Sequence, residues 1–192
     1  MPNNKIPNNS DNTNNQNSYV EKEIKILDIN IPVVQKKLEN LGAKLVFDDD
    51  RTFTTFDTPD RKYTKKGMII RLTEEGKLKL SVSAPLPNNE KETVKVFTSR
   101  KKETVDFLNK LGLIPIAQVK SHRISYEWGK VDFDIDKFPH IPPFMEIDIE
   151  FLEIPLDQLL QKLNLQNNKS VKLGTEQIFQ LYNLDYFDIF KI

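Results

Sequence analysis

Val20-Glu21-Lys22-Glu23-Ile24-Lys25-Ile26 is the stretch on which the fold turns. Apolar and charged residues alternate through it, which is the period of a β-strand, whose successive side chains point to opposite faces. Glu21, Glu23 and Lys25 then share one face, and Val20, Ile24 and Ile26 share the other. Two carboxylates and an ammonium in one row suit a hard metal ion beside an anionic substrate. A half-buried strand with a solvated polar face gives the same pattern, so this strand alone leaves both readings open. A second acidic alternation lies far down the chain, in Phe144-Met145-Glu146-Ile147-Asp148-Ile149-Glu150-Phe151, with Glu146, Asp148 and Glu150 on one face.

Applied to the other apolar runs, the same alternation sorts charge by strand. Met68, Ile70 and Leu72 oppose Ile69, Arg71 and Thr73; Leu78, Leu80 and Val82 oppose Lys79, Ser81 and Ser83. Val94 and Val96 oppose Thr93 and Lys95; Ile124, Tyr126 and Trp128 oppose Arg123, Ser125 and Glu127. Val131, Phe133 and Ile135 oppose Asp132, Asp134 and Asp136. Acids thus fall on the first and the last two strands, with Arg71, Lys79, Lys95 and Arg123 between them. On an open sheet this face is simply solvated. On a sheet curled into an antiparallel barrel of about eight strands it lines a lumen wide enough for side chains or one small ligand. Bases on one wall and acids on the other would there suit a polyphosphate bridged by divalent cations.

Strands are predicted near 19–27, 43–48, 51–57, 67–74, 77–84, 92–98, 115–128, 130–136 and 144–152. Helices are predicted near 31–41, 100–111, 156–165 and 175–182. The third helix has the clearest period, with Leu156, Leu159, Leu160 and Leu163 on one stripe. Leu41-Gly42 and Leu111-Gly112 end the first two helices alike, each followed by an apolar strand, so the chain reads as two similar halves of one domain. Turns are predicted at Asp48-Asp49-Asp50, Asp57-Thr58-Pro59-Asp60, Glu74-Glu75-Gly76 and Pro87-Asn88-Asn89. Residues 1–18 hold eight Asn and little that is apolar, the composition of a disordered tail. A globular domain is expected over 19–187, with a C-terminal tail at 188–192.

The totals exclude several classes. Lys plus Arg equals Asp plus Glu at 28 each in 192 residues, so no general field attracts nucleic acid. Cysteine is absent, which removes disulfides, thiolate zinc sites and cysteine nucleophiles. That is compatible with a cytoplasmic location. No apolar run approaches the ~20 residues of a membrane helix, and the N-terminus lacks the apolar segment of a signal peptide. A monomer or homodimer with neither membrane nor nucleic-acid partners is expected.

The ordered set Glu21-x-Glu23-x-Lys25, Phe56-Asp57-Thr58-Pro59-Asp60, Gly67-Met68-Ile69-Ile70-Arg71-Leu72, Arg123, Asp136 and Glu146-Ile147-Asp148 resembles the CYTH superfamily, the triphosphate tunnel metalloenzymes. That family includes class IV adenylate cyclases, thiamine triphosphatases and inorganic triphosphatases. The resemblance covers roughly residues 19–187. It implies an α+β fold, an eight-stranded antiparallel β-barrel (tunnel) with helices packed outside. It implies a small-molecule triphosphate as partner (ATP, thiamine triphosphate or tripolyphosphate), bound with Mg²⁺ or Mn²⁺. By family role, Glu21, Glu23, Glu146 and Asp148 would hold the metal, with Asp134 secondary and Asp136 a further acid near the metals and the chemistry. Lys25, Arg71 and Arg123 would hold phosphates, Lys25 also close to the chemistry.

Two positions depart from the pattern. Ser83 stands where the family places a lysine, and Thr93 where an inward glutamate is usual. Lys79 or Lys95 could supply the missing charge from a neighbouring position; otherwise the tunnel is a weakened enzyme or a triphosphate-binding module. Lys120 and Arg123 are three apart, so one faces inward, and Arg123 is the expected one. His122 reads as outward-facing and His140 as part of a Pro-rich loop. Arg61, Lys62, Lys65 and Lys66 read as a solvated loop, with a lid at the tunnel mouth as the alternative. Tyr126 and Trp128 read as packed under a helix.

Overall fold

The N-terminal alternation is built as two short strands, β1 (Ser18–Val20) and β2 (Glu23–Ile26), in a computed structural model that describes residues 18–20, 22–87 and 90–192. Glu21, most of the Asn-rich tail and the Asn88-Asn89 turn lie outside the described residues. The other long strands are β3 (Lys44–Asp57), β4 (Ile69–Glu75), β5 (Lys77–Pro85), β6 (Lys91–Thr98), β7 (Ile114–Trp128), β8 (Val131–Lys137) and β9 (Phe144–Asp148); β10 (Ser170–Val171) is a two-residue addition. Helices α1 (Ile31–Leu41), α2 (Lys101–Lys110), α3 (Leu156–Leu163), α4 (Thr175–Leu181) and α5 (Tyr186–Ile189) complete the fold.

The described strands form one antiparallel sheet in the order β1-β6-β5-β4-β3-β7-β8-β9-β2-β10. Leaving aside β10, which pairs with β2, the ends of that order are adjacent in the chain: β1 pairs with β6 and β2 with β9. Three residue steps separate Val20 from Glu23 and span at most about 11 Å. The sheet must therefore curl until its two sides meet at the N-terminal run. With β1 and β2 taken as one run and β10 as an addition beside β2, eight strands surround one lumen, as the resemblance implies.

Alternation then divides the core. On the outer face, Ile24, Ile26, Tyr126, Phe133, Ile135 and Ile147 pack with Val34 and Leu38 of α1 and Leu159, Leu160 and Leu163 of α3. Phe56, Ile70 and Leu72 pack with Leu108 beside α2. The two halves thus each carry an outer helix. α1 is capped by Asn30, whose Oδ1 accepts the Val33 N–H at 3.2 Å, and ended by Gly42 at φ +88°. On the inner face, Phe53, Val119 and Phe144 pack with Phe138, Ile178, Phe179 and Tyr186, so α4 and α5 fill one end of the lumen with aromatic side chains.

Three expectations change. Asp48, Asp49 and Asp50 form no turn: β3 runs unbroken from 44 to 57 and pairs with β7 throughout, with a bulge between Leu45 and Phe47. Three consecutive acids persist in a strand because basic neighbours face them. Lys120 Nζ lies 3.2 Å from Asp50, and His122 bridges Asp48 and Asp50 at 2.8 and 3.0 Å on the outer surface. Residues 188–192 are not a loose tail. The Phe190 carbonyl accepts the Gln118 N–H at 2.8 Å, and Lys191 bridges to Ala117. The last acidic strand stops at Asp148, two residues before Glu150. No described helix is long and apolar enough to cross a membrane.

Candidate functional site

The lumen beyond the aromatic plug is a cavity of about 370 Å³, lined by side chains from the strands around the barrel. Read in sheet order, its charges fall into two blocks. Lys95 of β6, Lys79 of β5, Arg71 of β4, Arg51 of β3 and Arg123 of β7 form a basic wall. Asp134 of β8, Glu146 and Asp148 of β9 and Glu23 of β2 form an acidic wall, with Lys25 set into it. Nine of the sequence-predicted site residues thus reach one cavity: Glu23, Lys25, Arg71, Lys79, Lys95, Arg123, Asp134, Glu146 and Asp148. Glu21 lies outside the described residues.

Register explains the acidic wall. Glu23 stands opposite Asp148, Lys25 opposite Glu146, and Asp134 opposite Glu146. Directly opposed side chains lie about 4.5–5.5 Å apart at Cβ, so these groups must interact. The Lys25 ammonium is paired with Glu23 and stands 3.2 Å from Glu146. Burial lowers the pKa of this ammonium, but Glu146 and Glu23 outweigh burial and the net shift is upward. Burial likewise opposes ionisation of Glu146, and Lys25, Arg123 and Arg51 overcome it, holding the carboxyl well below its usual range. Asp134 moves the other way: its burial, with Glu146 and Asp136 nearby, outweighs Arg123 and raises it.

Asp136 does not line the cavity as the resemblance implies for a residue at the chemistry. It is fully buried behind Arg123 and Arg51. Arg123 grips it with two bonds, Nε at 2.7 Å and Nη2 at 2.5 Å, and Arg51 Nη2 adds a third at 2.6 Å. With both oxygens occupied, Asp136 orients the two guanidinium groups. Arg123 spans the walls, because Nη2 also reaches Glu146 at 2.6 Å and Nη1 is paired with Asp134.

The basic wall is looser. Lys79 has Glu75 at 2.7 Å and stays part-exposed. Arg71 lies over the Phe53 ring, 4.8 Å from its centroid, and is paired with Glu176 of α4. At the two departures from the family pattern, Ser83 and Thr93 face each other across β5 and β6 and share a hydroxyl–hydroxyl hydrogen bond of 2.8 Å. Among the lining residues that sequence reading missed are Arg51, Lys91 and Glu176. Arg51 was detectable, since it keeps the parity of Phe53 once β3 is allowed to run on through the acids. Glu176 gave no local signal, because the helix that plugs one end of the lumen, not a strand, delivers it.

The CYTH domain family model matches residues 20–171. The chain belongs to the CYTH family. No curated protein matches it. Among solved structures, a provisionally named adenylate cyclase from Vibrio parahaemolyticus superposes with a TM-score of 0.69 at 16% identity, covering 83% of this chain and 97% of that one. A Pyrococcus horikoshii OT3 protein gives 0.63 at 18% identity over 78% and 94%. HpAC1, an adenylyl cyclase candidate from Hippeastrum described as having a dominant triphosphatase activity, gives 0.60 at 11% identity over 85% and 95%. These likenesses establish the shared CYTH fold.

Triphosphate tunnel enzymes of the CYTH family generally depend on a divalent metal. The acidic wall offers the oxygen donors that Mg²⁺ and Mn²⁺ prefer, and register sets Glu23 against Asp148 and Asp134 against Glu146. Among the described residues no three acidic or histidine side chains stand together as a ready metal site. The reason is visible: Glu23 and Glu146 are bonded to Lys25, and Asp134 and Asp136 to Arg123. The donor set fits a hard cation, which would have to draw carboxylate oxygens away from Lys25.

Proposed function

We propose that the channel binds a triphosphate compound together with a divalent cation and breaks one of its phosphoanhydride bonds. The observation that carries this reading is the opposition of the two walls within one 370 Å³ cavity. Arg71, Lys79 and Lys95 present guanidinium and ammonium donors of the kind that hold phosphate oxygens. Glu23, Glu146 and Asp148 would hold Mg²⁺ or Mn²⁺, with Asp134 beside them. The metal, when bound, neutralises charge developing on phosphorus-bound oxygens and lowers the pKa of an attacking oxygen. Lys25 and Arg123 keep the carboxylates ionised and oriented and add fixed positive charge at the junction of the walls. Asp136 fixes Arg123 and Arg51 rather than touching the ligand.

Hydrolysis of the chain would release phosphate; cyclisation of ATP would release pyrophosphate. Both use the same clamp. Hydrolysis is the better-supported reaction, because among the described side chains the one aromatic ring lining the cavity, Phe53, already carries Arg51 at 4.5 Å and Arg71 at 4.8 Å, where a cyclase would seat a purine. A second reading, a triphosphate-binding module without turnover, is favoured by the Ser83–Thr93 hydroxyl pair where charged groups are usual. Incubation with tripolyphosphate, thiamine triphosphate and ATP in Mg²⁺ or Mn²⁺, followed by assays of phosphate, pyrophosphate and cyclic AMP, separates them. Phosphate release that Glu23→Ala and Glu146→Ala abolish is expected. Binding without any product would establish the module, and turnover surviving both substitutions would remove the metal assignment.

A further inference from the structure

Glu176 enters the channel from the plug rather than from a strand of the wall. It sits in the first turn of α4, is 8% exposed and lines the same cavity as the basic wall. Its carboxylate is paired with Arg71. Gly174, two residues earlier, has an ordinary φ of −68°, so its backbone does not demand glycine. A Cβ there would displace the Lys91 ammonium, the end of a long side chain, and would lie 3.4 Å from Glu176 Oε2. Lys91 thus crosses over Gly174 toward the same carboxylate. Burial opposes the ionised form of Glu176, and Arg71 and Lys91 together outweigh it.

The position of this carboxylate is fixed by the plug. Phe179 meets Phe138, Tyr186 and Phe190 edge to face at 6.0, 5.3 and 5.5 Å, and Phe190 is tied to β7 through the Gln118 N–H. A carboxylate paired with a guanidinium, with an ammonium close by, is the charge arrangement that a phosphate oxygen would make with the same two groups.

We propose that Glu176 is a built-in stand-in for the innermost phosphate: it occupies Arg71 in the free protein, and a phosphate chain reaching the closed end of the channel must take its place. This rests on the phosphate reading above and adds a residue that sets affinity. Removing the carboxylate takes a negative charge away from beside Arg71 and Lys91, so an incoming anion meets a more positive field there, whereas keeping it sets like charges against each other.

The test is calorimetric titration of sodium tripolyphosphate in EDTA, where no metal-dependent turnover consumes it. Glu176→Gln is expected to bind about tenfold tighter than the wild type, with the gain lost when Arg71→Gln is also present. Its melting temperature without ligand should fall, and the rise on adding tripolyphosphate should grow. A purely structural Glu176 predicts the same fall in stability but equal or weaker binding, and that result would overturn the proposal. If Glu176→Gln does not fold, Glu176→Asp withdraws the carboxylate by one methylene and should still tighten binding about threefold; no tightening there counts equally against it. Tripolyphosphate binding that is indifferent to position 176 removes this proposal alone. No binding by any variant removes the phosphate reading as well.

Discussion

The two walls of the channel carry opposite charges and are built on opposite terms. The acidic wall holds its own cations: Lys25 stands between Glu23 and Glu146, and Arg123 joins Asp134, Asp136 and Glu146. Its groups are buried and mutually satisfied, so breaking one pair strands another. Beyond Arg51 and Arg123, which share Asp136, the basic wall is less deeply buried. Lys79 leans on Glu75 and remains part-exposed, Lys95 is exposed, and Arg71 is paired with a carboxylate lent by α4. One side of the channel is therefore part of the folded core, and the other is left able to exchange its partners for a ligand.

That contrast can be broken most sharply at Arg123. Arg123→Met leaves Asp134 without its cation and takes from Asp136 and Glu146 a cation that each shares with Arg51 or Lys25, and a buried pair broken on one side typically costs about 3–5 kcal/mol. Chemical denaturation should show a loss of that order, and a loss within ~0.5 kcal/mol would mean the acidic wall is no part of the core. On the opposite wall the effects should separate. Lys79→Ala is expected to change stability by less than ~0.5 kcal/mol while lowering kcat/KM on tripolyphosphate by roughly 10²-fold. Equal losses in both measurements would erase the distinction.

A gain of function sharpens the same comparison. Ser83→Lys replaces half of the Ser83–Thr93 hydroxyl pair with an ammonium on the basic wall. It should tighten tripolyphosphate binding by about fivefold, seen by calorimetry; weaker binding would mean that the hydroxyl pair itself contacts the ligand. The smallest effect lies on the outer surface. Hydrogen bonding to Asp50 first, then the pull of Asp48, outweighs slight burial and raises the pKa of His122. A raised histidine stabilises the fold fully below its unfolded pKa of about 6.5, and that stabilisation is lost as pH rises through the folded value. NMR titration of the imidazole should show a pKa above 6.5 that Asp50→Asn brings down, with no effect on turnover.

Strand alternation alone makes much of this legible. Arg71, Lys79, Lys95, Arg123, Asp134, Glu146 and Asp148 reach one cavity because period two leaves each only one face once its strand is identified. Arg51 escapes because three preceding acids look like a turn, and only the pairing of β3 with Lys120 and His122 of β7 shows why they can extend. Glu176 escapes for a different reason: no periodicity within α4 says that the helix plugs a barrel. Closure is equally non-local, since it depends on one N-terminal run reaching both β6 and β9. Asp136 shows the opposite failure, a residue with the right parity that is screened from the cavity by two arginines.

The most direct test of the opposed walls is a crystal soaked with tripolyphosphate and Mn²⁺, with anomalous scattering recorded at the manganese edge. The account predicts a manganese peak against Glu23, Glu146 and Asp148 and a phosphate chain on Arg71 and Lys79, both inside the channel. Manganese and phosphate found only on the outer surface, with Lys25 still bonded to Glu23 and Glu146, would contradict it.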